Sequence, residues 1–159
     1  MTPAQAAYLR RETLISAAIN CALSVVFTFL AFGGQTRIGW PALAWDALPQ
    51  SFAIALMATL VPTMLTRKRL VAGTVASLPA NGGKRLHNAW LRALIVAIGT
   101  TAVAGLLHYL LLPLGPADWS FAAVLAYKSV YGALLGAAIG HVAVRSALTG
   151  RISPEGRLP

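Results

Sequence analysis

Four long apolar runs, separated by polar stretches, organise the chain: Thr13–Phe32, Pro49–Thr66, Ala93–Leu112 and Trp119–Val144. None shows the period-two alternation of a half-buried strand. About 20 apolar residues in a helix cross a hydrocarbon core of about 30 Å. The pattern therefore predicts four transmembrane helices. The first run holds twenty residues without a charge. That is too long for the apolar region of a signal peptide, and Ala31-Phe32-Gly33 is a poor cleavage site, so a retained helix is expected.

The stretches between the runs predict connections. Gly33–Leu48 reads as a loop, with Trp40 and Trp45 as interfacial anchors. Pro49 then opens the second helix, where its missing N–H costs nothing. Arg67-Lys68-Arg69 stops that helix, and residues 67–92 read as a basic cytoplasmic connector. The turn Pro113–Asp118 is short enough to make the third and fourth helices antiparallel neighbours. Residues 146–159 read as a mobile tail. The expected fold is an all-α integral membrane protein of one domain over 1–159, with four transmembrane helices as two antiparallel hairpins. The second and fourth runs both contain Ser-Phe-Ala near their starts, at 51–53 and 120–122, as a duplicated hairpin would.

Composition strengthens this picture. The chain of 159 residues is 57% hydrophobic and 11% charged, whereas a soluble domain carries about 25% charged residues. Net charge is +9, from 13 Lys and Arg against 4 Asp and Glu. The basic residues flank the apolar runs, which suits anionic lipid headgroups and excludes nucleic acid as the expected partner. Eleven of the basic residues fall on one side of the four spans: Arg10, Arg11, Arg67, Lys68, Arg69, Lys84, Arg85, Arg92, Arg145, Arg151 and Arg157. Only Arg37 falls on the other. By the positive-inside rule both termini are cytoplasmic, and Asp46 and Asp118 face outward. Small size and an Ala/Leu/Arg bias suggest a bacterial cytoplasmic (inner) membrane.

Candidate chemistry concentrates in the fourth run. Lys128 lies nine residues after Trp119, about 13 Å along a helix and so near the midplane. A charge there is costly and marks a functional candidate. With Asp46 placed in a loop, no acid lies in any span to pair with it. Three arrangements are open: a neutral lysine, an anion or acidic partner group, or a side chain snorkelling beside Tyr127 and Tyr131. Gly132, Gly136 and Gly140 continue the ridge below Lys128 and predict close helix packing, either within the bundle or in an oligomer. Polar ladders at four-residue spacing run along the other helices: Ser16, Asn20, Ser24 and Thr28; Ser51, Thr59 and Thr63; Thr100 and His108. Lys128, His108, Asn20 and Tyr131 are the candidate binding residues for a solute or partner.

Other chemistry is not signalled. One cysteine, Cys21, forms no internal disulfide, and three scattered histidines make no metal site. No nucleophile motif, phosphate loop, carboxylate pair or cofactor fingerprint is present, so neither an enzyme nor a cofactor is expected. The functional expectation is a transporter or channel subunit for a small anionic or amphipathic solute, working as a homo-oligomer. The alternative is a non-catalytic accessory subunit bound to a membrane-protein partner.

Overall fold

The computed structural model describes residues 1–78 and 88–149. Its elements are α1 (Pro3–Phe32), β1 (Arg37–Gly39), α2 (Trp40–Val71), α3 (Ala89–Leu111), a single 3-10 turn (Leu112–Leu114), β2 (Asp118–Ser120) and α4 (Phe121–Leu148). All four helices are long and apolar enough to cross a membrane, the mark of a multi-pass membrane protein. Large apolar side chains such as Leu30, Val103, Leu106 and Val142 point outward, as lipid contact requires. The expected Lys84, Arg85 and His87 of the connector, and the tail from Gly150 onward, lie outside the described residues.

Three of the four helices, α1, α3 and α4, begin at a side-chain cap, not where hydropathy rises. α1 starts ten residues before its apolar run. Thr2 Oγ1 accepts from the Gln5 N–H at 3.3 Å, and Gln5 Oε1 accepts from the Thr2 N–H at 2.8 Å. That reciprocal box, with Pro3 in the first turn, nucleates the helix in a polar stretch. Asn88 caps α3 through the N–H groups of Trp90 and Leu91, and Ser120 caps α4 through the Ala123 N–H.

α2 corrects an expectation. The helix starts at Trp40 with Pro41 in its first turn, so Pro49 is interior and most of the expected loop is helical. Pro41 has the same geometric freedom at a helix start that was assigned to Pro49. The Arg67–Arg69 triplet does not end the helix either, which continues to Val71. Basic residues in a last turn favour the helix dipole.

Residues 37–39, expected in a loop, pair as a short antiparallel ribbon with 118–120, of which Trp119 and Ser120 were expected in the fourth helix; Ile38 stands opposite Trp119. Ile38, Phe32, Leu43, Leu112 and Val124 form an apolar cluster beneath it. The register places the start of α2 beside the start of α4. It leaves Ser51 deep in α2 while Ser120 caps α4, so the two Ser-Phe-Ala tripeptides occupy non-equivalent places.

Packing departs from chain order. α1 lies along α4, and α2 lies against both α3 and α4. Contacts of the α4 glycines run down α1 as they run up α4: Gly132 against Ser24, Gly136 against Asn20, Gly140 against Ser16. α1 and α4 are thus antiparallel. The short turn Pro113–Asp118 was expected to seat α3 on α4. Instead α3 packs along α2, with Gly105 against Leu48, and reaches α4 through long side chains. A turn fixes which ends are near, and small residues decide which helices close up.

Candidate functional site

α4 divides the polar side chains of the bundle into two groups. On the side facing α1 and α2, Lys128 forms an ion pair with Asp46. Lys128 is 3% exposed and Asp46 14%, and the ammonium lies 5.0 Å from the centre of the Phe32 ring. The early start of α2 makes this possible, because it carries Asp46 into the bundle in its second turn. The expectation that Lys128 has no acid within its own chain is therefore overturned, because Asp46 is helical and not in a loop. Asp118 lies at the surface, 3.9 Å from Arg37.

Below the ion pair a hydrogen-bonded seam follows the α1 ladder. Gln50 Nε2 donates to Ser24 Oγ at 2.9 Å, and Ser24 Oγ donates to the Asn20 carbonyl at 2.8 Å. Asn20 Nδ2 donates to the Ser16 carbonyl and Ser16 Oγ to the Gly136 carbonyl, both at 2.8 Å. Gly132, Gly136 and Gly140 admit this seam. A Cβ on Gly136 would stand 2.5 Å from Asn20 Nδ2, and one on Gly140 2.5 Å from Ser16 Oγ. The ridge faces this chain's own α1, so it is not exposed for contact between copies. Asn20 is a packing residue here, not part of an open path.

On the other side of α4 lies a groove of about 850 Å³ between α3 and α4. It exists because these helices do not close on each other. Leu107, Val103, Leu111 and Leu135 supply most of its wall. His108, Trp119, Tyr127 and Tyr131 form its aromatic end. Tyr127 donates to or accepts from His108 Nε2 at 2.8 Å, while His108 Nδ1 faces the Ala104 carbonyl at 2.7 Å. The His108 ring meets Tyr131 edge-on, centroids 4.9 Å apart, and Tyr127 and Tyr131 stack at 6.3 Å. The Tyr131 hydroxyl pairs with Ser51 Oγ at 2.6 Å.

Of the sequence candidates, then, His108 and Tyr131 come together, while Lys128 and Asn20 belong to the seam. Sequence reasoning missed Asp46, Tyr127, Trp119 and Ser51 as participants. Tyr127 and Tyr131 are one turn apart on α4, a stacking signal visible in the sequence. Asp46 was hidden by the choice of Pro49 over Pro41 as helix start. Among the described residues no three His, Cys, Asp or Glu side chains gather as a metal site. His141 pairs with Thr13 Oγ1 at 3.3 Å.

No protein-family model, curated protein or solved structure matches this chain.

Proposed function

We propose that this chain is a small multi-pass transport subunit that takes up an amphipathic solute from the bilayer into the groove between α3 and α4. The observation that carries the reading is the groove itself: about 850 Å³, walled by leucine and valine and ended by an imidazole and two phenols. Binding sites for apolar-bodied molecules have this size and this sparse polar lining. Between the amphipathic and the anionic solute, the geometry favours the first. Lys128 is neutralised by Asp46 and does not line the groove.

The bundle sits in a bacterial cytoplasmic membrane with both termini on the cytoplasmic side. The basic residues on that side, Arg10, Arg11, Arg67 and Lys68 among them, support this orientation and suit anionic headgroups. Four helices enclose little space, so the groove faces lipid or a second copy of the chain.

Gly99 provides the test. It lines the groove, and a Cβ there would meet nothing within 4 Å. Gly99→Phe therefore fills the groove without disturbing the bundle. Reconstituted wild type should bind and move a fluorescent amphipathic dye saturably, and Gly99→Phe should lose most of that flux at unchanged thermal stability. Equal flux in both proteins would sink the proposal. A membrane protein that co-purifies with the wild type and is released by Gly99→Phe would instead favour the accessory-subunit reading.

A further inference from the structure

A carbonyl oxygen only accepts, so His108 Nδ1, 2.7 Å from the Ala104 carbonyl, carries the ring hydrogen. In the neutral imidazole Nε2 is then an acceptor, and the Tyr127 hydroxyl 2.8 Å away must donate to it. The same reasoning applies to Tyr131. Ser51 Oγ donates to the Ala47 carbonyl at 2.5 Å, so its one hydrogen is engaged. The Tyr131 hydroxyl, 2.6 Å from Ser51 Oγ, must therefore be the donor of that pair.

Both phenolic hydrogens are thus engaged by protein acceptors, and both phenolic oxygens keep lone pairs. The indole N–H of Trp119 is buried at this end and has no hydrogen-bond partner. Thr100 lines the groove as well, but it stands eight residues from His108, about 12 Å along α3. No Lys, Arg, Asp or Glu is among the lining residues. At the aromatic end the two phenolic oxygens accept, and the buried Trp119 N–H is the one donor left without a partner.

We infer that the groove binds long-chain primary amines, with the ammonium donating to the Tyr127 and Tyr131 oxygens and the apolar chain lying along α3 past Leu107 and Val103. A protonated amine brings three donors and no acceptor, which complements two phenolic oxygens that keep lone pairs. The electron-rich rings of Trp119, Tyr127 and Tyr131 favour the same charge. From His108 to Gly99 the α3 wall is about 13 Å long, room for about ten carbons of a tail. The inference rests on the amphipath-binding reading of the groove and narrows it.

Four ligands with one dodecyl tail separate the possibilities: the primary amine, the alcohol, the trimethylammonium and the carboxylate. Each is titrated below bilayer-solubilising concentration against the full chain in phosphatidylcholine nanodiscs, with empty nanodiscs subtracted. About pH 8 keeps an alkylamine charged. The amine should bind at least about tenfold tighter than the carboxylate and the trimethylammonium, with the alcohol between. Tyr127→Phe and Tyr131→Phe should each weaken the amine about fivefold or more while leaving the carboxylate unchanged. Trimethylammonium binding equal to the amine would mean that charge, not hydrogen-bond donation, is read, and would overturn the inference. So would carboxylate binding as tight as the amine, although the amphipath reading would survive both. If none of the four binds in a manner lost on Gly99→Phe, the inference and the proposed function fall together.

Discussion

Lys128 and Asp46 form an ion pair inside the bundle, one about two turns into α4 and one from the second turn of α2, with Lys128 almost wholly buried. An unpaired charge at membrane depth is costly, so each residue is the reason the other is tolerated. Truncating either should destabilise the protein by about 3–5 kcal/mol, because the remaining charge is stranded. The double replacement Asp46→Leu/Lys128→Met should cost clearly less than the two single changes added together. A thermal-unfolding double-mutant cycle in detergent measures this. Additive losses would show that the pair is not coupled.

The glycines of α4 and the glycine of the groove should respond oppositely to the same change. Gly136→Ala places a methyl group 2.5–2.7 Å from the Asn20 side chain, and overpacking of that kind costs about 1–3 kcal/mol. Gly99→Ala meets nothing within 4 Å and replaces the weaker helix former, so it should be neutral or stabilise by up to about 1 kcal/mol. Melting temperatures of the two variants, read side by side, decide the point. Gly136→Ala as stable as wild type would refute the close packing of α1 on α4.

Which parts of this architecture could be read from sequence follows from the physics of each signal. The four spans were legible because twenty apolar residues have few other solutions in water or lipid. The glycine ridge and the Ser16–Thr28 ladder were legible as faces because a four-residue period survives any packing. Their mutual contact was not, since periodicity names a face and not what lies opposite. Pro41 and Pro49 illustrate a second gap. Both are acceptable first-turn residues, and choosing the wrong one moved Asp46 out of the bundle and left Lys128 apparently alone. The groove was invisible for a different reason: it is a failure of α3 and α4 to close, decided by Gly105 seating against Leu48.

The basic triplet at the end of α2 should separate into a topological and a structural part. Arg69 Nη1 donates to Glu12 Oε1 at 2.5 Å and to the Tyr8 hydroxyl at 3.0 Å, and Tyr8 in turn meets Thr66 Oγ1 at 3.0 Å. Glu12 is 5% exposed, so its carboxylate depends on this partner. Lys68, one residue earlier, is exposed. Both count equally in the charge bias that orients the chain. Arg69→Met should therefore cost about 1–3 kcal/mol, against less than about 0.5 kcal/mol for Lys68→Met. Equal losses in unfolding experiments would argue against the Glu12 pairing.

Ile38 links the ribbon to the groove. It is 1% exposed, packs with Phe32, Leu43, Leu112 and Val124, and stands opposite Trp119 across the β1–β2 pair. Trp119 closes the aromatic end of the groove and touches Tyr127, ring centres 5.7 Å apart. Ile38→Ala should cost about 2–5 kcal/mol, the usual loss for a buried isoleucine truncated to alanine. It should also loosen the strand that holds Trp119, so amphipath binding should weaken even where the protein remains folded. Ile38→Val, which keeps the β-branched shape, should cost about 0.5–1.5 kcal/mol and leave binding intact. Unfolding curves and binding isotherms on both variants test the two halves separately. Destabilisation by Ile38→Ala with unchanged binding would show that Trp119 is held by α4 and not by the ribbon.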